Sequence, residues 1–442
     1  MQKIIVNGGR ALAGEVRISG SKNAALPLIF ATLLINGETT LFNVPDIGDV
    51  RVALELLSDF GAEISFFGST LRINTKKVKY KPENPELSGK IRASTYLLGA
   101  TLGRFGRAEI PASGGCNFSN RPIDFHINAA KSFGATLSGG SLIADKLRGA
   151  KISLPKPSVG ATINALLMAV SALGDSEISG YAKEPHVLAV VDFLRAAGAK
   201  IQLENDKILV HPAPLHPTEF TVIGDMIEAG TYLTAAMITG GNITVSGIDF
   251  RELSSFLNIA EELGFTPEIL PLISFENEEK LAVFRSKRLL SSIRIDSKKL
   301  LSSIRIDSKK RKFSGNKISV SAAPYPAFPT DLQPIIAPIL AKESGGQIRD
   351  FVFPDRFGYL ENLATFGIKS RVVDKCAKIE KSRLKSGSAI APDLRGGMAC
   401  LLAALGANGH SEIRSAQLIL RGYDRLAEKL TSLGADVKTI KM

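Results

Sequence analysis

Cys116 sits in Pro111-Ala112-Ser113-Gly114-Gly115-Cys116-Asn117-Phe118-Ser119-Asn120-Arg121, directly after two glycines and five residues before an arginine. Glycine backbone reaches positive φ at little cost and a nearby guanidinium favours the thiolate, so this thiol is a candidate for titration near neutral pH. The competing reading is a surface cysteine in a polar turn. Asp331 ends the run Tyr325-Pro326-Ala327-Phe328-Pro329-Thr330-Asp331, just before an apolar stretch. A carboxylate there serves either as a helix cap or as a general base. Lys22, Arg92, Arg121, Arg356, Arg395 and Arg421 stand in or near polar turns. Helix N-termini expose backbone amides and the positive end of the dipole, so cations placed there suit a polyanionic substrate. Any one of them alone is equally an ordinary solvated charge.

What must position these residues is a repeat. The glycine that closes a Leu-Gly-Ala-like helix end recurs at Gly61, Gly134, Gly198, Gly264, Gly367 and Gly434. The period is about 65 residues except between Gly264 and Gly367, where it is stretched. Each unit begins with a polar turn and an apolar helix, expected at 21–34, 91–102, 161–173, 227–238, 332–341 and 394–405. A short strand follows, then an amphipathic helix such as 49–60 ending at a left-handed glycine, then more strand. First helices that are apolar all round imply helices inside and sheets outside. Six units divide into two three-unit domains, with a boundary in the Pro-rich segment near 204–224 that holds Pro212, Pro214 and Pro217.

Composition narrows the chemistry. The net charge of +12 is local, because residues 285–312 hold eleven Lys or Arg against two Asp. Within that stretch Leu-Leu-Ser-Ser-Ile-Arg-Ile-Asp-Ser-Lys-Lys occurs at 289–299 and again, unchanged, at 300–310. The expectation is an exposed extension inserted between the fourth and fifth units, with a basic arm for nucleic acid or an anionic surface as the alternative. Cys116, Cys376 and Cys400 are widely spaced and odd in number, which argues against a disulfide framework and fits a reducing cytoplasm. The N-terminus lacks a signal-like apolar run, and no stretch is long and apolar enough to span a membrane. Dinucleotide, P-loop and nucleophile-elbow patterns are absent, and the five histidines make no metal-ligand pair at helical spacing.

The stretches Ser19-Gly20-Ser21-Lys22-Asn23-Ala24-Ala25-Leu26-Pro27, Arg92-Ala93-Ser94, Gly114-Gly115-Cys116, Arg121-Pro122-Ile123-Asp124-Phe125-His126 and Ser158-Val159-Gly160-Ala161-Thr162 carry a family resemblance. Glu228-Ala229-Gly230-Thr231, Phe328-Pro329-Thr330-Asp331, Asp393-Leu394-Arg395 and Arg421-Gly422-Tyr423 continue it in order along nearly the whole chain. The sequence resembles the enolpyruvyl transferases, in particular the branch whose acceptor is UDP-N-acetylglucosamine, at the first committed step of peptidoglycan synthesis. The resemblance implies an α/β fold of two inside-out barrels, six βαβαββ repeats with three per domain, whose interdomain cleft closes over substrate. It assigns residues 22–223 to the first domain and 1–21 with 224–442 to the second, with the insertion at about 270–315.

It also implies transfer of the enolpyruvyl group of phosphoenolpyruvate to the 3-hydroxyl of UDP-N-acetylglucosamine, with loss of phosphate. Asp331 matches the base. Cys116 matches the acid, a covalent adduct on its sulfur and the target of fosfomycin. Lys22, Arg121 and Arg421 match phosphate and carboxylate contacts, with Arg356 and Arg395 nearby. Asn23, Arg92, Pro122, Ile123, Asp124, Phe125, Lys156, Ser158, Val159, Gly160 and Val352 match acceptor contacts. No metal or organic cofactor, nucleic-acid partner or membrane span is implied, and the expected state is a monomer or weak oligomer. The alternative acceptor is shikimate 3-phosphate, whose family lacks the Gly-Gly-Cys loop and reads Lys-Ser where this chain has Lys22-Asn23. Three departures stand out. The loop before Cys116 is longer than usual, Gly396-Gly397 replaces Ala-Ser and so loosens a helix start, and the duplication has no counterpart.

Overall fold

A computed structural model describes residues 2–110, 122–271, 302–312 and 317–441. The chain forms two compact units, one of Gly20–Ile223 and one of Met1–Ser19 with Gly224–Met442. Each has its own buried apolar core.

The repeat appears most directly in the helix ends. All six spaced glycines adopt left-handed φ, from 83° at Gly367 to 108° at Gly198. In every case the glycine N–H bonds three residues back and the next N–H bonds five residues back, as in Gly61 to Ser58 with Ala62 to Leu57, and Gly434 to Thr431 with Ala435 to Leu430. That is one Schellman motif used six times, and a side chain at the glycine would strain each copy.

Around it, five four-stranded sheets and one three-stranded sheet are described. In each four-stranded sheet an edge strand runs parallel to the strand after the inner helix, which pairs antiparallel with the first of two further antiparallel strands. Ile318–Ala322, Gly346–Asp350, Cys376–Ile379 and Ser370–Val373 show the pattern in that order. The inner helices are buried on all sides, as in Val159–Ala169, Met226–Thr239 and Leu394–Gly406, because nearly every residue in them is apolar or small. The second helices, such as Gly48–Asp59, bury one face.

Two connections depart from simple sequence order. Ala13–Arg17 precedes the helix Lys22–Ala31 in sequence yet belongs to the unit of Gly224–Met442, where it pairs parallel with Asn242–Ile248. Reciprocally, Glu219–Thr221 pairs with Glu38–Phe42. The N-terminal strand Gln2–Gly8 lies between Gly409–Arg414 and Asp436–Lys441, supplying the strand that the last repeat lacks at its own end. Ser19 is pinned by its N–H to Glu228 Oε2 at 2.9 Å, by Lys429 Nζ to its hydroxyl at 2.7 Å, and by that hydroxyl to Asp424 at 2.8 Å. Glu228 and Lys429 form a buried ion pair at 2.6 Å, a geometry that fixes register more than it adds stability.

The duplicated segment requires a correction. Its second copy is not an exposed extension: Ser302–Asp307 is an inner strand between Pro267–Pro271 and Asn242–Ile248. Ile304 and Ile306 are 0% exposed, and burying each contributes about 2 kcal/mol. The cause is the two-residue alternation in Ser303-Ile304-Arg305-Ile306, which presents both isoleucines to the core. Its basic neighbours are engaged within the same unit. Arg305 Nε donates to Asn242 at 2.9 Å, Lys310 pairs with Glu268 at 2.7 Å, and Arg311 pairs with Glu343. A nucleic-acid arm is therefore not supported by the described part of this segment, and the first copy, 289–299, lies outside the described residues.

Deleting 289–299 or deleting 300–310 yields one and the same shorter chain, and that chain keeps the inner strand. Closure entropy changes slowly with connection length, so its unfolding free energy should stay within about 1 kcal/mol of the full chain in a denaturant titration. An unfolded or aggregated product would contradict the strand assignment.

Candidate functional site

In Gly20–Ile223, Lys22 is the first residue of the helix Lys22–Ala31, where the dipole opposes a cation. Asp49, buried in the first turn of Gly48–Asp59, offsets that cost, with Lys22 Nζ at 2.9 Å from its carboxylate. The ammonium is thus fixed against Asp49 at the start of the helix Gly48–Asp59, and Asn23 follows it, half-buried.

A second group in this unit surrounds His126. Asn164 donates from Nδ2 to Thr95 O at 3.0 Å and accepts from Gly99 N at 2.6 Å, which fixes the orientation of its amide. The same Nδ2 lies 2.7 Å from His126 Nδ1, so Nδ1 accepts and Nε2 carries the proton. Burial first, and then the charge of Arg92, pull this imidazole down to about 4 against a small opposing effect of Asp124, so it is neutral at pH 7. Burial likewise lowers the Arg92 guanidinium. Gly160 is required by the close approach, since a Cβ there would fall 2.7 Å from His126 Cε1. Ser158 caps the helix Val159–Ala169 by accepting from Ala161 N, with Val159 and Gly160 in its first turn. Lys156 Nζ lies 5.8 Å above the Phe125 ring. Arg92, Asp124 and Gly160 therefore stand around one neutral histidine, with Lys156 over the adjacent Phe125 ring and Ser158 capping the helix that carries Gly160, while Pro122 is exposed at the edge of the described segment. Cys116 and Arg121 lie outside the described residues.

In the other unit, Asp331 is not the cap of the helix it precedes; Gln333–Glu343 starts from Leu332. Its carboxylate accepts instead from Arg356 Nη1 at 2.9 Å and from Arg395 Nε at 3.1 Å. Both arginine side chains are 3% exposed, and Asp331 is 28% exposed. Arg395 stands in the first turn of Leu394–Gly406, which Asp393 caps through the amides of Arg395 and Gly396. Its guanidinium lies over the Tyr423 ring at 5.3 Å, while the Tyr423 hydroxyl is engaged with Thr231 at 2.9 Å. Nη1 and Nη2 of Arg395 are buried and have no hydrogen-bond acceptor among the described residues. Such an arrangement is costly for a cation unless an anion completes it.

Arg421 is partly exposed and precedes Gly422, where a Cβ would meet Leu394 Cδ1 at 2.4 Å. The glycine lets the Arg421–Tyr423 segment pack on the start of the Arg395 helix. Val352 is half-buried, with its N–H held by Asp350 Oδ1 at 2.9 Å.

Gly396 and Gly397 do not loosen this helix start, contrary to expectation from propensity. A Cβ on Gly396 would lie 2.8 Å from Tyr359 Cβ, and one on Gly397 would lie 2.7 Å from both Ala391 Cβ and Ile419 Cγ1. Neighbouring side chains fill the space. Sequence reasoning also passed over Asn164 and Asp350. Asn164 was detectable as the one amide in a largely apolar helix; Asp350 gives no signal before the chain folds.

Among the described residues no group of three or more His, Cys, Asp or Glu could hold a metal ion, and no helix is long and apolar enough to cross a membrane.

Comparison with known proteins completes the picture. The family model described as EPSP synthase (3-phosphoshikimate 1-carboxyvinyltransferase) matches residues 6–430. The UDP-N-acetylglucosamine 1-carboxyvinyltransferase of Prosthecochloris aestuarii is 37% identical over 99% of this chain and 98% of its own. The UDP-N-acetylglucosamine 1-carboxyvinyltransferase 1 of Streptococcus agalactiae serotype Ia is 35% identical, with 100% of both chains covered. Among solved structures, the enolpyruvyl transferase NikO from Streptomyces tendae superposes with a TM-score of 0.82 at 23% identity, covering 100% of this chain and 99% of that one. An EPSP synthase from Acinetobacter baumannii gives 0.73 at 17%, with both chains fully covered.

Two outcomes follow for stability. Gly397→Ala should destabilise by about 1–3 kcal/mol in a denaturant titration because of overpacking, although helix propensity alone favours alanine by about 1 kcal/mol; a net gain would contradict the packing. For His126, the folded value of about 4 lies below the ordinary 6.5, so the unfolded chain binds the proton first. Stability is full above about pH 6.5 and falls, by on the order of 3 kcal/mol, as pH drops toward 4. Urea midpoints measured across that window should show this slope flattened in His126→Gln, and an unchanged slope would refute the buried neutral state.

Proposed function

Because the chain belongs to the EPSP synthase family of enolpyruvyl transferases, we propose that it transfers the enolpyruvyl group of phosphoenolpyruvate to the 3-hydroxyl of UDP-N-acetylglucosamine. The acceptor is taken from the names of relatives that match end to end at 35–37% identity. The observation that carries the chemistry is the Asp331 carboxylate between two buried arginines, one of which still has both Nη atoms without an acceptor among the described residues.

In this reading Asp331 takes the proton of the 3-hydroxyl as its oxygen bonds to C2 of phosphoenolpyruvate. Cys116 donates a proton to C3, giving a tetrahedral phosphoketal. A proton then returns from C3 to the Cys116 thiolate, the C2–C3 double bond re-forms, and the bond between C2 and the phosphate oxygen breaks with its electron pair leaving on that oxygen, releasing inorganic phosphate. Lys22, Arg121 and Arg421 are the cations for the phosphate and carboxylate, and they stabilise charge where it develops on the leaving group. Arg395 adds a further link. It holds Asp331 through Nε while Nη1 and Nη2 remain for an anion, and an anion there offsets the guanidinium charge that would otherwise weaken the base. Asn23, Arg92, Pro122–Phe125, Lys156, Ser158–Gly160 and Val352 are assigned to the nucleotide and sugar.

Side chains supply the acid, the base and the cations, so no metal or organic cofactor forms part of the proposal. The partners are small molecules. A cytoplasmic setting suits these substrates, and the free, buried thiols of Cys376 and Cys400 support it.

Phosphate release from phosphoenolpyruvate, with UDP-N-acetylglucosamine and shikimate 3-phosphate as rival acceptors, tests the assignment. Turnover is expected with the nucleotide sugar, and turnover with the shikimate compound alone would overturn it. In the same assay Asp331→Asn should lower kcat by at least about 100-fold. Cys116→Ser should lose both turnover and labelling by fosfomycin, whereas full activity would refute the acid role.

A further inference from the structure

Asp350 ends the strand Gly346–Asp350 and is 1% exposed, yet it is a carboxylate. Its Oδ1 accepts two backbone amides, Val352 N at 2.9 Å and Phe353 N at 2.8 Å, closing a tight turn. Its Oδ2 accepts the Thr330 hydroxyl at 2.5 Å. The bonds run on from there. Phe353 O accepts Arg356 N at 3.0 Å, and Arg356 Nη1 donates to Thr330 O at 3.2 Å and to Asp331 at 2.9 Å. The circuit therefore closes: one carboxylate holds the turn that anchors Arg356 and also the residue next to Asp331, and Arg356 ties the two arms together.

We propose that Asp350 is a positioning residue of the transferase, setting the direction of the Asp331 carboxylate through Thr330 and Arg356 and the place of the Val352 backbone through its own turn. The inference rests on the enolpyruvyl-transfer reading above and adds to it a residue with no contact to substrate. A buried carboxylate is costly in a site that needed only a turn, since an asparagine offers the same acceptor to the two amides. What asparagine cannot do is accept the Thr330 proton on its other arm and carry a negative charge facing Arg356. The carboxylate is thus explained by the Thr330–Arg356 side of the circuit. The turn is explained by the Val352 side.

The two arms predict separable kinetics. Thr330→Val removes the hydroxyl that donates to Asp350 and accepts from Arg356 Nη1 at 3.3 Å while leaving the Val352 turn in place, and kcat should fall by about 10- to 100-fold, in line with the cost of displacing a catalytic group by a fraction of an ångström to 1 Å. The KM for UDP-N-acetylglucosamine should stay within about twofold of wild type, since uniform substrate binding is untouched. Thr330→Ser, which keeps the hydroxyl, should restore kcat. Asp350→Asn should resemble Thr330→Val, and Asp350→Ala should lower kcat and also raise the acceptor KM because the Val352 turn loses its acceptor. Melting temperatures measured alongside separate these effects from loss of folded protein.

The role is overturned if Thr330→Val and Asp350→Asn both keep wild-type kcat. It is equally overturned if every loss tracks the folded fraction, as a purely structural carboxylate would give. Should Asp350→Ala fail to fold, the Thr330 pair and Asp350→Asn still decide. A wild-type chain that transfers nothing to UDP-N-acetylglucosamine would instead bring down the assigned reaction, which distinguishes that failure from this one.

Discussion

The Asp331 carboxylate, held by Arg356 on one oxygen and Arg395 on the other, is the interaction on which the rest of this unit's polar architecture depends. Two guanidinium groups with 3% exposed side chains cannot be left without a counter-charge. Each is delivered by a different repeat: Arg356 by the turn after Gly346–Asp350, Arg395 by the first turn of Leu394–Gly406. The glycines at 396, 397 and 422, the cap at Asp393 and the Tyr423 ring all serve to bring Arg395 to that position.

The other unit uses the same device with different chemistry. There a helix-end lysine is paired with a buried aspartate, and a neutral histidine is fixed by an asparagine from an inner helix. Both sites lie at starts of inner helices. The repeat therefore explains why Lys22, Arg92 and Arg395 sit at helix beginnings, whereas Arg356 comes from a turn and Arg421 follows the short helix Gln417–Leu420.

Much of this was legible in the chain. The glycine spacing revealed six units because a left-handed helix end is a position that glycine occupies at the least cost, and all six glycines adopt it. The apolar inner helices were legible for a similar reason, as their composition leaves only burial. Other features were not. Pairing of Ala13–Arg17 and Gln2–Gly8 with distant strands depends on which edge is vacant, and no local pattern records that. The second copy of the duplicated segment looked basic by count, while its alternating isoleucines were the stronger signal. Gly396-Gly397 read as weak helix formers because propensity sees the backbone and not Ile419 or Tyr359. Asp350 gave no signal at all, since its importance lies in joining Thr330 to a turn 20 residues away in sequence.

The most direct measurement is a structure of the chain with UDP-N-acetylglucosamine bound. The account predicts the sugar 3-hydroxyl within about 3 Å of an Asp331 oxygen, with Arg356 still on the carboxylate and the Val352 turn against the acceptor. A bound acceptor whose 3-hydroxyl faces another group, with Asp331 still closed between its two arginines, would contradict it.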